Sequence, residues 1–554
     1  MSNLEKDSKS KNSNNKLNYT RTVLHKNSEF EVVSCDWSLG ALSELHSHGW
    51  SQCHVLVQSG EFKNTHLLGT KQETFIYSTG DVISTPAGAQ HQIQCLTENG
   101  KTFHIYTPQL VGAETEIKNQ FSSVSSQKIK DLIDVELSEF GLPFDELKKL
   151  LADVQKQNVQ THSVYFMNQL FSSVPPENLL AQDVITKSRT TAVTFEASPV
   201  FTTIEIETIQ KLCDLIGWKK DQQDGITISG GSAANFMALH CARQKHSPSY
   251  KMIGMAQNKY KIFVSQESHY SFKKACVALG FGLNSLVTVK SHSDGQINLQ
   301  ELESEIKKSI ANDEIPLLIS ATAGTTVLGA FDPIIEIADL CEKYKIWFHV
   351  DGAWGGPVLF SERRQQLLPQ IERCDSMTFD AHKLLGAQLT CSFFLTQHKG
   401  LLFEANDVAG GDYLFHSENG MPDMGRQSWQ CGRNPDAFAF WTLWKSQGSL
   451  GFKKLIDHLY KVQNETVRWI KEQPRLQLVT DPAFLNICVR VLPPSMQPDP
   501  NWSAYVRQQL KDQDLAMVNY SYDENGTFLR LILVHPQIQF KHVQQIFEWS
   551  LRIQ

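Results

Sequence analysis

The sequence predicts a multidomain chain: an N-terminal all-β module, then an α/β module that ends in a small C-terminal α+β domain. Three observations carry this expectation. At 554 residues the chain is too long for one compact core. Between Tyr19 and about Gly112, short β-rich runs such as EFEVVSCDW, CHVLVQSG and FHIYTPQL are punctuated by Gly and Pro, as in a small barrel or sandwich. Further on, apolar runs (DGITISG, YKIFVSQ, IPLLISATA, KIWFHVDGA, SMTFDA, SFFLT) alternate with helix-compatible stretches, the pattern of a largely parallel sheet with buried strands.

Taken in order, residues 1–18 are Ser, Asn and Lys with almost nothing apolar to bury, and read as a disordered tail. The β module covers 19–112 and a linker 113–127. In the second module, 128–554, Leu147, Leu150, Leu151 and Val154 recur at i, i+3, i+4 and i+7, one face of a helix. The large α/β part extends to about residue 440. The small domain, with LQLVTD, LNICVRVL and TFLRLILV, fills about 441–554.

Composition narrows the function classes. The chain is 41% hydrophobic and 20% charged, as ordinary soluble domains are. No apolar run approaches the roughly 20 residues that span a bilayer, and the N-terminus has no signal-peptide apolar core. A formal charge of −7 argues against a nucleic-acid partner. The 11 cysteines are scattered without a CxxC pair, which fits a reduced, cytoplasmic setting.

Strand ends are where parallel sheets assemble sites. FHVDGAWGG puts Asp351 just past a buried strand, and FDAHKLLG puts His382 and Lys383 past another. SGGSAAN, from Ser229 to Asn235, is a small-residue turn between DGITI and a helical run, and offers backbone N–H groups and a helix N-terminus to a phosphate. A lysine amine, a carboxylate for a pyridinium nitrogen and a phosphate cradle are the parts that pyridoxal phosphate needs.

With these motifs the sequence resembles the group II pyridoxal-dependent decarboxylases, the glutamate and cysteine-sulfinate decarboxylase family, from about Ser125 to the C-terminus. The islands NQLFS, SPVFTTIE, ISGGSAAN, SQESHYSFKKA, ATAGTTVLGAFDP, HVDGAWGG, HKLLG, WQCGR and FLRL occur in collinear order. The resemblance implies a type I pyridoxal-phosphate fold with a covalent cofactor link at Lys383. It implies that Asp351 pairs with the ring nitrogen, that His269 stacks on one ring face and that Ala353 lies against the other. Ser232 and Ala233, helped by His382, would hold the phosphate, and Thr322 belongs to the same cofactor set. Arg530 would bind the substrate's α-carboxylate or its distal acid, with Asn168, Gln169 and Phe171 beside the substrate. One departure is evident: the loop HSENGMPDMGRQSW, ahead of QCGR, contains no Tyr, whereas relatives carry there a Tyr thought to reprotonate the carbanion.

In the β module, Gly40, His46, His48, Cys53 and Gly60 form G-x5-H-x-H-x4-C-x6-G, and Gly80, Pro86, Gly88 and His91 form G-x5-P-x-G-x2-H. Residues i and i+2 of a strand share a face, so His46 and His48 could grip one ion, with His91 as a third imidazole. Such a ligand set suits iron, zinc, nickel or copper equally. The pattern resembles the two cupin motifs, a small β-barrel family. Cys53, YTR and FHIYTP extend the resemblance to cysteine dioxygenase, which implies Fe(II) at His46, His48 and His91. It further implies cysteine-carboxylate binding by Arg21, supporting roles for His104 and Tyr106, and a cross-link between Cys53 and Tyr106.

Together the resemblances imply a bifunctional enzyme: cysteine and O2 to cysteine sulfinate, then decarboxylation to hypotaurine. Alternatives are a decarboxylase of aspartate or glutamate with a cupin that oxidises another small thiol or is a non-catalytic sensor, or an aminotransferase. The pyridoxal-phosphate fold further implies a homodimer.

Overall fold

The computed structural model describes residues 19–26, 31–43, 46–47, 52–68, 71–85, 90–107, 121–122, 124–254, 259–408, 410–416 and 422–554. The expected tail and most of the expected linker lie outside these residues. The chain divides into two compact units between residues 118 and 119.

The first unit contains β1 (Tyr19–Lys26), β2 (Glu31–Trp37), β3 (His46–Ser47), β4 (Gln52–Ser59), β5 (Glu61–Leu68), β6 (Lys71–Ser78), β7 (Val82–Thr85), β8 (Gln90–Cys95) and β9 (Gly100–Thr107). They form two antiparallel sheets, ordered β1-β2-β9-β4-β7 and β3-β8-β5-β6. Val33, Val55 and Ile83 from the first sheet share a core with Phe62 and Ile93 from the second. The expected cupin barrel is corrected here to two sheets. Closing a barrel needs a continuous ladder around its girth, and no strand ladder among the described residues joins the two sheets. The arrangement is a two-sheet packing in which β4, β7, β8 and β9 turn alternate side chains inward.

In the second unit a seven-stranded sheet is built from β11 (Asp224–Ser229), β12 (Tyr260–Ser265), β13 (Leu286–Val289), β14 (Ile315–Thr322), β15 (Trp347–Gly352), β16 (Ser376–Asp380) and β17 (Cys391–Thr396). Its order is β11-β17-β16-β15-β14-β12-β13, and β17 alone runs against the rest. Every residue of β15, β16 and β17 is buried, which explains why these strands read as continuous apolar runs rather than alternating ones. Crossover helices cover the sheet, as parallel pairing requires.

A smaller sheet follows, ordered β10-β20-β21-β19-β18, from β10 (Phe166–Met167), β18 (Leu476–Leu478), β19 (Asn486–Val491), β20 (Met517–Asp523) and β21 (Gly526–Ile532). β10 comes from far upstream and pairs in parallel with β20, setting Phe166 against Met517 and Met167 against Val518. The small domain therefore recruits a strand from before the large sheet. A helix over Asp436–Lys471 links the two sheets and bends at Gly448, whose φ of 64° and ψ of 171° interrupt the helical ladder. The helix expected around Leu147 forms over Phe144–Gln157, and a helix over Ser126–Leu132 begins inside the expected linker; neither buries a residue within this chain. No helix of the described residues is long and apolar enough to cross a membrane.

Candidate active site

Four strands deliver their carboxyl ends to one place: β11 ends at Ser229, β14 at Thr322, β15 at Asp351–Gly352 and β16 at Asp380. A cavity of about 290 Å³ opens there, reached also by Ser232, His269, Ala353, His382 and Lys383. Its floor begins with the turn after β11. Gly230 adopts φ 94° and starts the 16-residue helix Gly231–His246, whose first N–H groups have no intrahelical partner and attract anions. Gly231 is required as well as permitted. A Cβ there would lie 2.7 Å from Asp380 Oδ2, so the helix start and the end of β16 touch without a side chain between them.

Lys383 Nζ lies 3.1 Å from Asp380 Oδ2, and Ser392 Oγ donates to Asp380 Oδ1 at 2.6 Å. His382 donates through Nδ1 to the carbonyl of Cys391 at 2.9 Å, which turns Nε2 toward the same carboxylate at 3.9 Å. Asp351 is almost fully buried; its Oδ1 accepts from the backbone N–H of Ala353 at 3.1 Å and its Oδ2 from Asn235 Nδ2 at 2.7 Å. Burial holds the His269 imidazole below its ordinary value, with the Asp351 carboxylate pulling the other way. The His269 and Tyr270 rings lie 4.2 Å apart by centroid. Thr322 Oγ1 is buried without a hydrogen-bond partner.

Arg530 lies on β21, whose neighbour β20 pairs with β10. Its guanidinium donates to two main-chain carbonyls, Thr326 at 2.9 Å and Asn168 at 2.7 Å, while Nε has no partner. The side chain is 7% exposed and pairs with no carboxylate among the described residues. Burial accordingly depresses its pKa. A buried cation held by carbonyls alone is an incomplete arrangement, and a ligand anion would complete it.

Of the cofactor residues inferred from sequence, Lys383, Asp351, Ala353, His269, Ser232, His382 and Thr322 all reach the cavity. Ala233 is half-buried one residue along the helix and does not line it. Asn168 is buried with Oδ1 unpartnered, Gln169 is exposed, and Phe171 packs its ring 6.2 Å from that of Phe166. Sequence reasoning passed over Asn235, Tyr270 and Asp380. Two of these were legible: Asn235 closes the SGGSAAN turn and Asp380 precedes Lys383 by three residues in FDAHK. In the loop that lacks a Tyr, residues 417–421 lie outside the described residues.

The cavity fits pyridoxal phosphate: it joins an amine, a buried carboxylate, an imidazole, an orphaned threonine hydroxyl and a helix N-terminus with room for an anion. Fold and residue set define a pyridoxal-phosphate-dependent enzyme. The model of the pyridoxal-dependent decarboxylase conserved domain matches residues 127–492, and the chain belongs to that family. It is 34% identical over 427 residues to acidic amino acid decarboxylase GADL1 of Bos taurus, covering 74% of this chain and 82% of that one. It is 34% identical over 425 residues to cysteine sulfinic acid decarboxylase of Mus musculus, covering 74% and 86%. The crystal structure of mouse CSAD superposes with a TM-score of 0.74 at 32% identity, over 77% of this chain and 92% of that one. The enzyme is a pyridoxal-phosphate-dependent decarboxylase, a lyase.

The second catalytic activity inferred from sequence is corrected. The family match and these relatives support decarboxylation and no cysteine-oxidising step, so the bifunctional reading, with cysteine and O2 as substrates, is withdrawn. Among the described residues no group of three His, Cys, Asp or Glu side chains could hold a metal, and the expected Fe(II) finds no support there. His46 pairs with His91 across β3 and β8, but His91 Nδ1 is engaged by Asn64 Oδ1 at 3.1 Å and Thr85 Oγ1 at 3.2 Å; His48 lies outside the described residues. Arg21, expected to hold a cysteine carboxylate, is paired with buried Glu31 at 2.8 Å. Tyr106 hydrogen-bonds His104 Nδ1 at 3.2 Å and the Cys53 thiol, which burial pushes up to about 12. A thiol held protonated and buried is a core group rather than a reactive one.

Proposed function

We propose that this enzyme decarboxylates a small acidic amino acid of the cysteine sulfinate, aspartate and glutamate class. The observation that carries the reading is Arg530, a buried guanidinium with a free Nε and no carboxylate partner among the described residues. Its charge would take one acid group of the substrate, and the unpartnered Asn168 Oδ1 lies on the residue whose carbonyl fixes that guanidinium. The names of the curated relatives, an acidic amino acid decarboxylase and a cysteine sulfinic acid decarboxylase, favour the same class.

In this reading Lys383 holds the cofactor covalently, the Gly231–Ser232 helix start and His382 hold its phosphate, with Ala233 and Thr322 behind, and Asp351 faces its ring nitrogen. His269 and Ala353 bracket the ring. Bound pyridoxal phosphate supplies an electron sink for the charge left when CO2 departs. Asp351 keeps a proton on the ring side by its charge, undiluted by water because it is buried. Asp380 accepts a proton from Lys383 across 3.1 Å and returns it, so the amine can bind and release. Gln169 and Phe171 stand further out, at the substrate's approach.

A second copy of the chain belongs to the functional unit. The helix Phe144–Gln157 buries no residue in its own chain, and Leu137, Phe140 and Phe144 are 98%, 84% and 72% exposed. A lone helix of this length is marginal in water, and large apolar side chains this exposed favour a cover. Light scattering of purified protein should give twice the chain mass, reduced by Phe144→Ser.

The substrate reading is tested by offering cysteine sulfinate, aspartate, glutamate and leucine to the holoprotein and measuring CO2. Release from the acidic amino acids, reduced roughly 10²-fold in kcat/KM by Arg530→Gln, is the expected result. Equal release from leucine, or an Arg530→Gln variant as active as the parent, would discard it.

A further inference from the structure

Behind Asp351 runs a buried hydrogen-bonded chain that the cavity itself does not require. Trp347 Nε1 donates to Ser376 Oγ at 2.9 Å, and Ser376 Oγ meets His349 Nδ1 at 2.8 Å. His349 Nε2 lies 3.2 Å from Asn235 Oδ1, which also accepts from Thr378 Oγ1 at 2.7 Å. Asn235 Nδ2 then donates to Asp351 Oδ2 at 2.7 Å and to Ser271 Oγ at 2.9 Å. Every one of these residues is buried, so none can exchange its partner for water.

The ends of the chain are fixed. An indole N–H only donates, and an ionised carboxylate only accepts. With Trp347 at one end and Asp351 at the other, one tautomer of His349 points each link the same way: indole to hydroxyl, hydroxyl to Nδ1, Nε2–H to amide oxygen, amide N–H to carboxylate. Each donor and acceptor is then used. His349 Nε2 also meets Thr378 Oγ1 at 3.3 Å, and the donation from Asn235 Nδ2 to Asp351, whose Oδ1 accepts from Ala353 N–H, stands in either imidazole tautomer.

We infer that Trp347, Ser376, His349 and Asn235 form a buried relay that holds Asp351 as an oriented acceptor facing the cavity, making Asn235 and His349 positioning residues for the decarboxylation. The inference rests on the proposed pairing of Asp351 with the cofactor's ring nitrogen. Burial holds His349 neutral, so within the chain it has one nitrogen to donate and one to accept.

The test loads the full-length protein with pyridoxal phosphate carrying 15N in the ring and records that nitrogen's chemical shift with pH, alongside cofactor affinity by equilibrium dialysis. The parent should show a protonated ring nitrogen over the whole range in which it is folded. Asp351→Asn should abolish that signal. Asn235→Ala should move it toward the neutral-ring position and weaken cofactor binding roughly tenfold or more, and Trp347→Phe should do the same to a smaller degree. If Asp351→Asn moves the signal while Asn235→Ala only lowers the melting temperature, the relay is a packing network and the inference is overturned. If Asp351→Asn leaves the signal unmoved, the pairing of Asp351 fails and the relay's purpose falls with it. Should Asn235→Ala not fold, His349→Gln decides by the same resonance, an unmoved signal again overturning the inference.

Discussion

Each unit of this protein buries a hydrogen-bonded chain that starts at an indole. In the N-terminal unit Trp37 Nε1 donates to Thr102 Oγ1 at 2.8 Å, Thr102 meets His104 Nε2 at 2.9 Å, and His104 Nδ1 meets the Tyr106 hydroxyl, which hydrogen-bonds the Cys53 thiol. In the C-terminal unit the corresponding run from Trp347 through a hydroxyl and an imidazole arrives at Asp351. The residue types are nearly the same, and the difference lies at the end. One chain stops at groups that burial keeps neutral, and the other stops at a carboxylate lining a cavity with an amine, an anion cradle and an unpaired arginine nearby. Buried polar chains of this kind fix side chains wherever they occur. Catalysis is added where the last group carries charge into a space that a ligand can enter.

The largest effect that should separate the two regions is on turnover. Lys383→Ala is expected to lower CO2 release by roughly 10³-fold or more, measured with acidic amino acids on folded protein, whereas Tyr106→Phe should leave it within about twofold. Loss of decarboxylation in Tyr106→Phe would erase the contrast. The next effect is pH dependence. Burial holds His349 neutral, down to about 3 against an ordinary value near 6.5. The unfolded chain takes up a proton between those values and the folded one does not. Stability is therefore full above pH 6.5 and falls as the pH drops toward 3, by up to roughly 1.4 kcal/mol per unit. Urea midpoints should fall between pH 7 and pH 5 in the parent and fall less in His349→Gln, the remaining slope coming from His240 and His535, which burial also lowers to about 4. The smallest effect sharpens the comparison from the other side. Thr102→Val leaves the Trp37 indole and His104 without their shared hydroxyl, at a cost of about 1–3 kcal/mol, read as earlier unfolding with decarboxylation unchanged.

Much of the catalytic half was legible because its residues stand where local rules put them. Asp351 stands at the end of one fully buried strand and Lys383 just past another, and Ser232 follows a glycine pair that opens a helix; each position is announced by its neighbours in sequence. Asn235 and Asp380 were passed over because they act on Asp351 and Lys383, and such support leaves no spacing of its own. The carbonyls of Asn168 and Thr326 that hold Arg530 could not be read at all, since a main-chain acceptor carries no residue signature. The N-terminal histidines went the other way. The spacing correctly put His46 and His91 on strands, where they pair across β3 and β8. Strand spacing fixes which face an imidazole occupies and is silent on its partner, which for His91 is an amide and a hydroxyl.

The pairing of β10 with β20 bears on how the enzyme is made. The carbonyl of Asn168 accepts from a guanidinium 362 residues later. A ribosome delivers the first of these groups long before the second, and at about 5–20 residues per second the interval is tens of seconds. Throughout it the large sheet can form, while β10 waits with its ladder edge open and the carbonyl unfilled. A nascent chain halted before Arg530 should thus be folded around the cofactor cavity and still unable to anchor an acid. If Arg530 takes the substrate's acid as proposed, recognition of that acid waits until this residue has been made.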